Sequence, residues 1–140
     1  RSTMAEFVMK DIVKKNGLED CFEIASCATS REEIGNAVHY GTRSKLAEVG
    51  ISCAGKYARQ LTVKDAEYYD YLIGMDDWNM YNMKRMIPSK YHDKMYLLLD
   101  KTEHPGDIAD PWYSGNFDLT YEQVLLGCQV WYDYLVEKGL

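Results

Sequence analysis

A carboxylate beside a proline is the residue of this sequence best suited to acid–base chemistry. Asp110 precedes Pro111 in a stretch from 102 to 116 that is rich in Gly and Pro. Trp112 and Tyr113 follow it. Proline restricts the backbone and aromatic side chains exclude water, so this carboxyl group is well placed to serve as a general acid. Asp-Pro is also a common turn pair, and Trp112 could pack in the core. The residues alone leave both interpretations open.

Metal and disulfide chemistry are not indicated. The four cysteines form no C-x-x-C pair and the three histidines are scattered. These residues are Cys21, Cys27, Cys53, Cys128, His39, His92 and His104. Zinc sites and disulfide frameworks need closer spacing of such ligands. We therefore expect no metal and no cofactor.

Composition and charge narrow the class of protein. The chain has 140 residues, 46% of them hydrophobic and 27% charged, which is typical of one folded domain spanning 1–140. Sixteen basic against 22 acidic residues give a net charge of −6, so nucleic-acid phosphates would be repelled. No apolar run approaches the ~20 residues needed to cross a bilayer. We expect a cytoplasmic protein, a monomer or weak dimer, with no nucleic-acid or membrane partner.

Hydrophobic periodicity predicts helices that alternate with strands. Predicted helices cover 3–16, 42–49, the segment between Asp76 and Pro88, and 121–137; predicted strands cover 22–26, 69–75 and 95–99. Thr62 and Asp65 have the spacing of a capping box, and Asp76 could cap the helix that follows it. Such alternation favours a parallel sheet. Because the order begins with a helix, we expect a first strand that is missing from the given sequence.

Five short motifs resemble those of low-molecular-weight protein tyrosine phosphatases of the bacterial type. They occur in the order found in that family and span essentially the whole chain. The motifs are the opening 1–6, Ala28-Thr29-Ser30 leading to Gly35-Asn36, Ala58 to Thr62, Met75-Asp76, and Asp110 to Tyr113. The resemblance implies an α/β fold, three-layered α/β/α and flavodoxin-like, with a parallel four-stranded sheet.

The resemblance also implies roles for particular residues. In the family, a C-x5-R-S loop joins the first strand to the first helix and cradles a phosphate with its amides, and its cysteine is the nucleophile. Arg1 matches the loop arginine that binds the phosphoryl oxygens, and Ser2 matches the hydroxyl that bonds the thiolate. Asp110 matches the acid that protonates the leaving oxygen and then activates water.

Supporting and cleft residues follow from the same resemblance. Asn36 and Ser26 match side chains that brace the phosphate loop. Trp112 and Tyr113 match the wall of the cleft, although core packing is an equal alternative. Glu32 stands in a charged segment where many relatives carry an aromatic residue. It would disfavour acidic peptides if it faces the cleft, and otherwise belongs to a solvated loop.

The family's nucleophilic cysteine is not in the given sequence, which starts at the loop arginine. We expect roughly a dozen residues upstream, enough for a strand and the loop. A cloning scar is the rival explanation of Arg-Ser-Thr. Cys53 and Arg59 also have C-x5-R spacing, but Gln60 follows in place of Ser and no buried strand precedes Cys53. We expect Cys53→Ser to leave activity unchanged.

The expected function is hydrolysis of phosphotyrosine and other phosphomonoesters through a phosphocysteine intermediate. One alternative is a catalytically silent phosphate- or phosphopeptide-binding module, or an inactive fragment. A protein-arginine phosphatase is another. An arsenate reductase is less favoured, because the chain has no cysteine between Cys53 and Cys128 for an electron relay.

Overall fold

The computed structural model describes residues 1–30, 34–111 and 115–139. Its helices are α1 (Ser2–Lys15), α2 (Tyr40–Glu48), α3 (Val63–Tyr68), α4 (Asp77–Met86) and α5 (Phe117–Glu137). Its strands are β1 (Leu72–Gly74) and β2 (Met95–Leu97), and 3-10 turns cover Glu19–Cys21 and Ser89–Lys94. Within these described ranges, no helix is long and apolar enough to span a bilayer.

The sheet is parallel, as the alternation of helices and strands predicted. Leu72 pairs with Met95 and Gly74 with Leu97. Successive strand residues point to opposite faces. Ile73 packs with the core cluster that contains α1 and α5, and Leu72 belongs to the cluster that contains α3 and α4. The predicted α/β class, with a helical layer on each face of a parallel sheet, is confirmed. The resemblance implied four strands, but the sheet of the described residues has two.

The strand predicted at 22–26 does not form. Phe22 has an extended backbone, but strand pairing in the described part of the chain is confined to β1 and β2. A strand is defined by hydrogen bonds to a neighbour, so an extended segment without one is not a strand. Nearby, Ala28 forms only an isolated parallel bridge to Gln60.

The sequence correctly predicted the buried face of α1 and the start of α3. The face of α1 formed by Met4, Val8 and Ile12 is buried, as its spacing predicted. Thr62 and Asp65 form a reciprocal capping box at the start of α3. Two starts differ from the prediction by more than one residue. α2 begins at Tyr40 because the His39 ring accepts a hydrogen bond from Gly41 N, and α5 begins at Phe117 because Asn116 caps it.

The main core lies between the sheet and α5. Trp131 is 1% exposed, and its indole N–H donates to Leu98 O at 3.0 Å, just beyond β2. Gly127 allows the close approach, since a Cβ there would lie 2.6 Å from Leu98 Cγ. This docking places the first half of α5 beside the loop that carries Asp110.

Candidate active site

The Arg1 guanidinium lies between three acceptors at the start of α1. Its Nη2 is 2.7 Å from Asp76 Oδ2 and 3.7 Å from Asp110 Oδ2. Its Nη1 donates to Ile108 O at 3.0 Å. The structure therefore brings together Arg1 and Asp110, the two residues expected to be catalytic, from distant parts of the chain.

Asp76 belongs to this group, although sequence reasoning gave it only a capping role. One carboxylate oxygen accepts from Asn79 N at 2.8 Å and caps α4, while the other contacts Arg1. Asp76 comes two residues after β1, at the carboxyl end of the sheet, where open α/β proteins bind ligands. An acidic residue directly after the predicted strand 69–75 is the signal that could have identified it.

The loop before Asp110 is held by two neighbouring elements. Ile108 N donates to Met75 O at 2.8 Å, which ties the loop to the end of β1. Ala109 N donates to Gln123 Oε1 at 2.7 Å, and its carbonyl accepts from Thr120 Oγ1 at 2.9 Å. The backbone of Ile108 and Ala109 is thus held by the end of β1 and by two side chains of α5. The Asp110 side chain itself is 33% exposed, so a substrate can reach it.

The first turn of α1 adds positive potential at the same place. A helix N-terminus presents unpaired N–H groups and the positive end of the helix dipole. Ser2 is the first residue of α1, and the first turn of this helix contains no acidic residue that would oppose the positive potential. A helix start beside an arginine is well suited to hold a phosphate.

An ion cluster around the buried Glu6 lies one turn further along α1. Glu6, which is 5% exposed, accepts from Ser26 Oγ at 2.6 Å and contacts Lys10 Nζ at 2.5 Å and Lys56 Nζ at 2.9 Å. Lys56 also donates to Ser26 O at 2.8 Å. Burial alone would raise the pKa of Glu6, but hydrogen bonds from Lys10, Ser26 and Lys56 outweigh it and lower that pKa. Ser26 therefore supports α1, and Lys56 joins two loops to it.

Four further residues were predicted to support the phosphate loop or to line the cleft. The carbonyl of Asn36 accepts from Ala58 N at 2.8 Å, so its backbone belongs to the bridged loops that pack beside Ser26; a bracing role for its side chain stays a prediction. Glu32, Trp112 and Tyr113 lie outside the described residues.

The second C-x5-R sequence has no phosphate-loop geometry. Cys53 is buried in the core, and the Arg59 guanidinium makes two contacts, of 2.8 and 3.0 Å, to the Asp65 carboxylate. That carboxylate closes the capping box of α3. Arg59 thus stabilises a helix start.

Comparisons with known proteins identify the family of this chain. The profile of the family described as low molecular weight phosphotyrosine protein phosphatase matches residues 1–139. The low molecular weight protein-tyrosine-phosphatase YfkJ of Bacillus subtilis is 36% identical over 131 residues, 92% of this chain and 84% of that protein. Its crystal structure superposes with a TM-score of 0.93 at 32% identity, covering 100% of this chain and 89% of that one.

A second solved structure gives the same result. The low molecular weight protein tyrosine phosphatase SP-PTP of Streptococcus pyogenes is 42% identical, with a TM-score of 0.85, over 96% of this chain and 85% of that chain. The chain therefore belongs to the low molecular weight phosphotyrosine protein phosphatase family, a family of phosphoric monoester hydrolases.

Proposed function

We propose that this protein hydrolyses phosphotyrosine in proteins, and small aryl phosphates, in two steps through a phosphocysteine. The observation that carries the proposal is the pairing of Arg1 and Asp110 at the N-terminus of α1, where Arg1 Nη2 lies 3.7 Å from Asp110 Oδ2. A phosphate binder and a proton donor are thereby adjacent, as transfer of a phosphoryl group to an enzyme requires. The proposed nucleophile is a cysteine that precedes Arg1 in the phosphate-binding loop.

In the first step, the thiolate attacks phosphorus and the bond from phosphorus to the tyrosine oxygen breaks. Asp110 donates its proton to that oxygen, so the leaving group departs as neutral tyrosine. Arg1 binds the equatorial phosphoryl oxygens, and the first N–H groups of α1 stabilise the charge that develops there.

In the second step, the Asp110 carboxylate takes a proton from a water molecule as that water attacks the phosphocysteine. The sulfur–phosphorus bond breaks, which releases inorganic phosphate and regenerates the thiolate. Asp76 supports both steps as a positioning residue, because its contact with Arg1 limits the directions in which the guanidinium can point.

The cell compartment and assembly state follow from the sequence expectations. We place the reaction in the cytoplasm and treat the protein as a monomer or weak dimer that acts on phosphotyrosine-containing proteins. The four free cysteines support a reducing compartment, and the net charge of −6 supports a monomer. Size measurement in solution tests the assembly state.

The general-acid role is tested with esters whose leaving groups differ. Asp110→Ala should lower turnover of phenyl phosphate by about a hundred- to ten-thousandfold, because the phenolate must then leave unprotonated. An ester of a far more acidic phenol should lose much less, since its phenolate needs no proton. Equal losses of turnover on both esters would show that Asp110 does not protonate the leaving oxygen.

A further inference from the structure

Two aromatic rings stack on each other at the surface of α4. Trp78 is 68% exposed and Tyr81 is 58% exposed, and their ring centroids lie 5.5 Å apart with an interplanar angle of 18°. They stand three positions apart, so they share one face of the helix. Aromatic side chains of this size are highly buried on average, as Trp131 is here. The pair therefore forms an apolar surface that is open to solvent.

This surface adjoins the candidate active site. Trp78 is two residues after Asp76, whose carboxylate contacts Arg1 at 2.7 Å, and two residues of chain span at most ~7 Å. The loop that carries Asp110 is tied to the same turn, because Asp107 Oδ1 accepts from Asp77 N at 3.0 Å. A peptide bound at Arg1 by its phosphate would run within reach of α4.

The charges around the pair differ along the helix. Asp77 and Asp107, both exposed, lie at the end near Arg1. Lys84 and Arg85 lie at the other end, where Arg85 donates to Asn82 Oδ1. At the end of α4 near Arg1, the aromatic pair thus lies beside two carboxylates. Guanidinium and ammonium groups bind such a combination through cation–π contact and ion pairing.

We propose that Trp78 and Tyr81 form a docking surface for a basic residue that flanks the phosphotyrosine of the substrate. The inference rests on the proposed function and adds a preference among its substrates. An extended peptide advances ~3.3 Å per residue, so a residue about three positions from the phosphotyrosine would lie roughly 10 Å away. The acidic chain as a whole favours the approach of such a peptide.

The test compares three phosphotyrosine peptides that differ only three positions after the phosphotyrosine, where they carry Arg, Leu or Glu. The full-length protein should show the highest kcat/KM on the Arg peptide and the lowest on the Glu peptide. Trp78→Ala should lower kcat/KM on the Arg peptide about tenfold, in the range seen for aromatic anchors of interfaces, and should remove most of the preference. A wild-type preference for Leu over Arg would overturn the basic occupant.

Two further variants separate charge from surface loss. Asp77→Asn keeps the shape of the side chain and should reduce the preference for Arg over Leu. Tyr68→Ala is the matched control, because it removes an aromatic side chain that is 64% exposed. Tyr68 ends α3 before β1 begins, whereas Trp78 lies on α4 after β1 ends, so the two residues lie at opposite ends of the strand. Tyr68→Ala should leave the ranking of the peptides unchanged. A Tyr68 effect as large as the Trp78 effect would contradict a localised docking surface.

A small aryl phosphate distinguishes failure of the inference from failure of the proposed function. If Trp78→Ala lowers kcat/KM on that ester as much as on the Arg peptide, the docking surface is excluded while phosphatase activity stands. If the wild type hydrolyses no ester, the proposed function fails. Equilibrium binding of the three peptides to wild type and Trp78→Ala then decides the inference, since docking predicts that only the wild type prefers Arg.

Discussion

Each carboxylate oxygen of Asp76 has a separate task. One accepts from the backbone of Asn79 and the other contacts the Arg1 guanidinium. The first task stabilises α4, and the second orients the group proposed to bind the phosphoryl oxygens. Because Asn caps helices about as well as Asp does, substitution can remove the second task and keep the first.

Asp76→Asn and Asp76→Ala should therefore lose similar activity but differ in stability. Both remove the charge beside Arg1, and we expect kcat/KM on a small aryl phosphate to fall about ten- to a hundredfold through misplacement of the guanidinium. The Ala variant also loses the cap and should be about 1 kcal/mol less stable than the Asn variant. Steady-state kinetics and urea unfolding measure the two effects. Wild-type kinetics in the Asn variant would contradict a positioning role.

At the scale of elements, α1 is fastened to two loops by the buried cluster around Glu6. Lys56 joins Glu6 to the carbonyl of Ser26, and Lys10 contacts the other carboxylate oxygen of Glu6. A buried carboxylate that loses a charged partner is costly, although Lys10 and Ser26 remain to bind it.

Lys56→Met should accordingly lower the free energy of unfolding by about 1–3 kcal/mol. Lys64→Met is the matched control, because Lys64 is an exposed lysine of α3 and its loss should change stability by no more than about 0.5 kcal/mol. Urea denaturation followed by far-UV circular dichroism gives both values. Equal stability of the two variants would show that the cluster does not hold α1.

The same cluster predicts a pH dependence. The pKa of Glu6 is lowered in the folded protein, so its ionisation contributes stability above the unfolded pKa, near 4.5. That contribution is lost as pH falls from there through the lower folded pKa. Glu6→Gln should be less stable than wild type at neutral pH, and the difference should shrink on acidification. A difference that stays constant down to acid unfolding would exclude this contribution.

Local features of these elements were predictable from the sequence, whereas contacts between distant segments were not. The buried face of α1 and the capping box of Thr62 and Asp65 were predictable because their partners lie within a few residues. The contact of Lys56 with Glu6 was not, since it depends on how distant loops pack. The strand predicted at 22–26 was wrong for the same reason, namely that strand formation depends on a distant partner. Apolar character alone does not supply a neighbour for its backbone.

At the scale of the whole molecule, α5 connects the core to the site. Trp131 and Gly127 dock it on the end of β2, and Thr120 and Gln123 hold the backbone of Ala109 next to Asp110. Arg1 and Asp110 thus meet only if this helix packs closely. Motifs in family order predicted that meeting, whereas the close approach at Gly127 needed the structure.

Gly127→Ala should destabilise the protein by about 1–3 kcal/mol, because its Cβ would lie 2.6 Å from Leu98 Cγ and 3.0 Å from Leu98 O. Leu126→Ala, at an exposed neighbouring position of α5, should cost about 0.5 kcal/mol or less. Thermal unfolding of the two variants measures the difference. An unchanged melting temperature for Gly127→Ala would show that α5 can shift without loss.

The central claim is that phosphoryl transfer passes through a cysteine beside Arg1 and Asp110. Its most direct test is rapid quenching of full-length Asp110→Ala during reaction with an ester of an acidic phenol, followed by proteolysis and mass spectrometry. Loss of the Asp110 base slows the second step, so the account predicts a phosphoryl group on a cysteine that precedes Arg1. Phenol release with no phosphorylated cysteine, or with the phosphoryl group on Cys53, would contradict it.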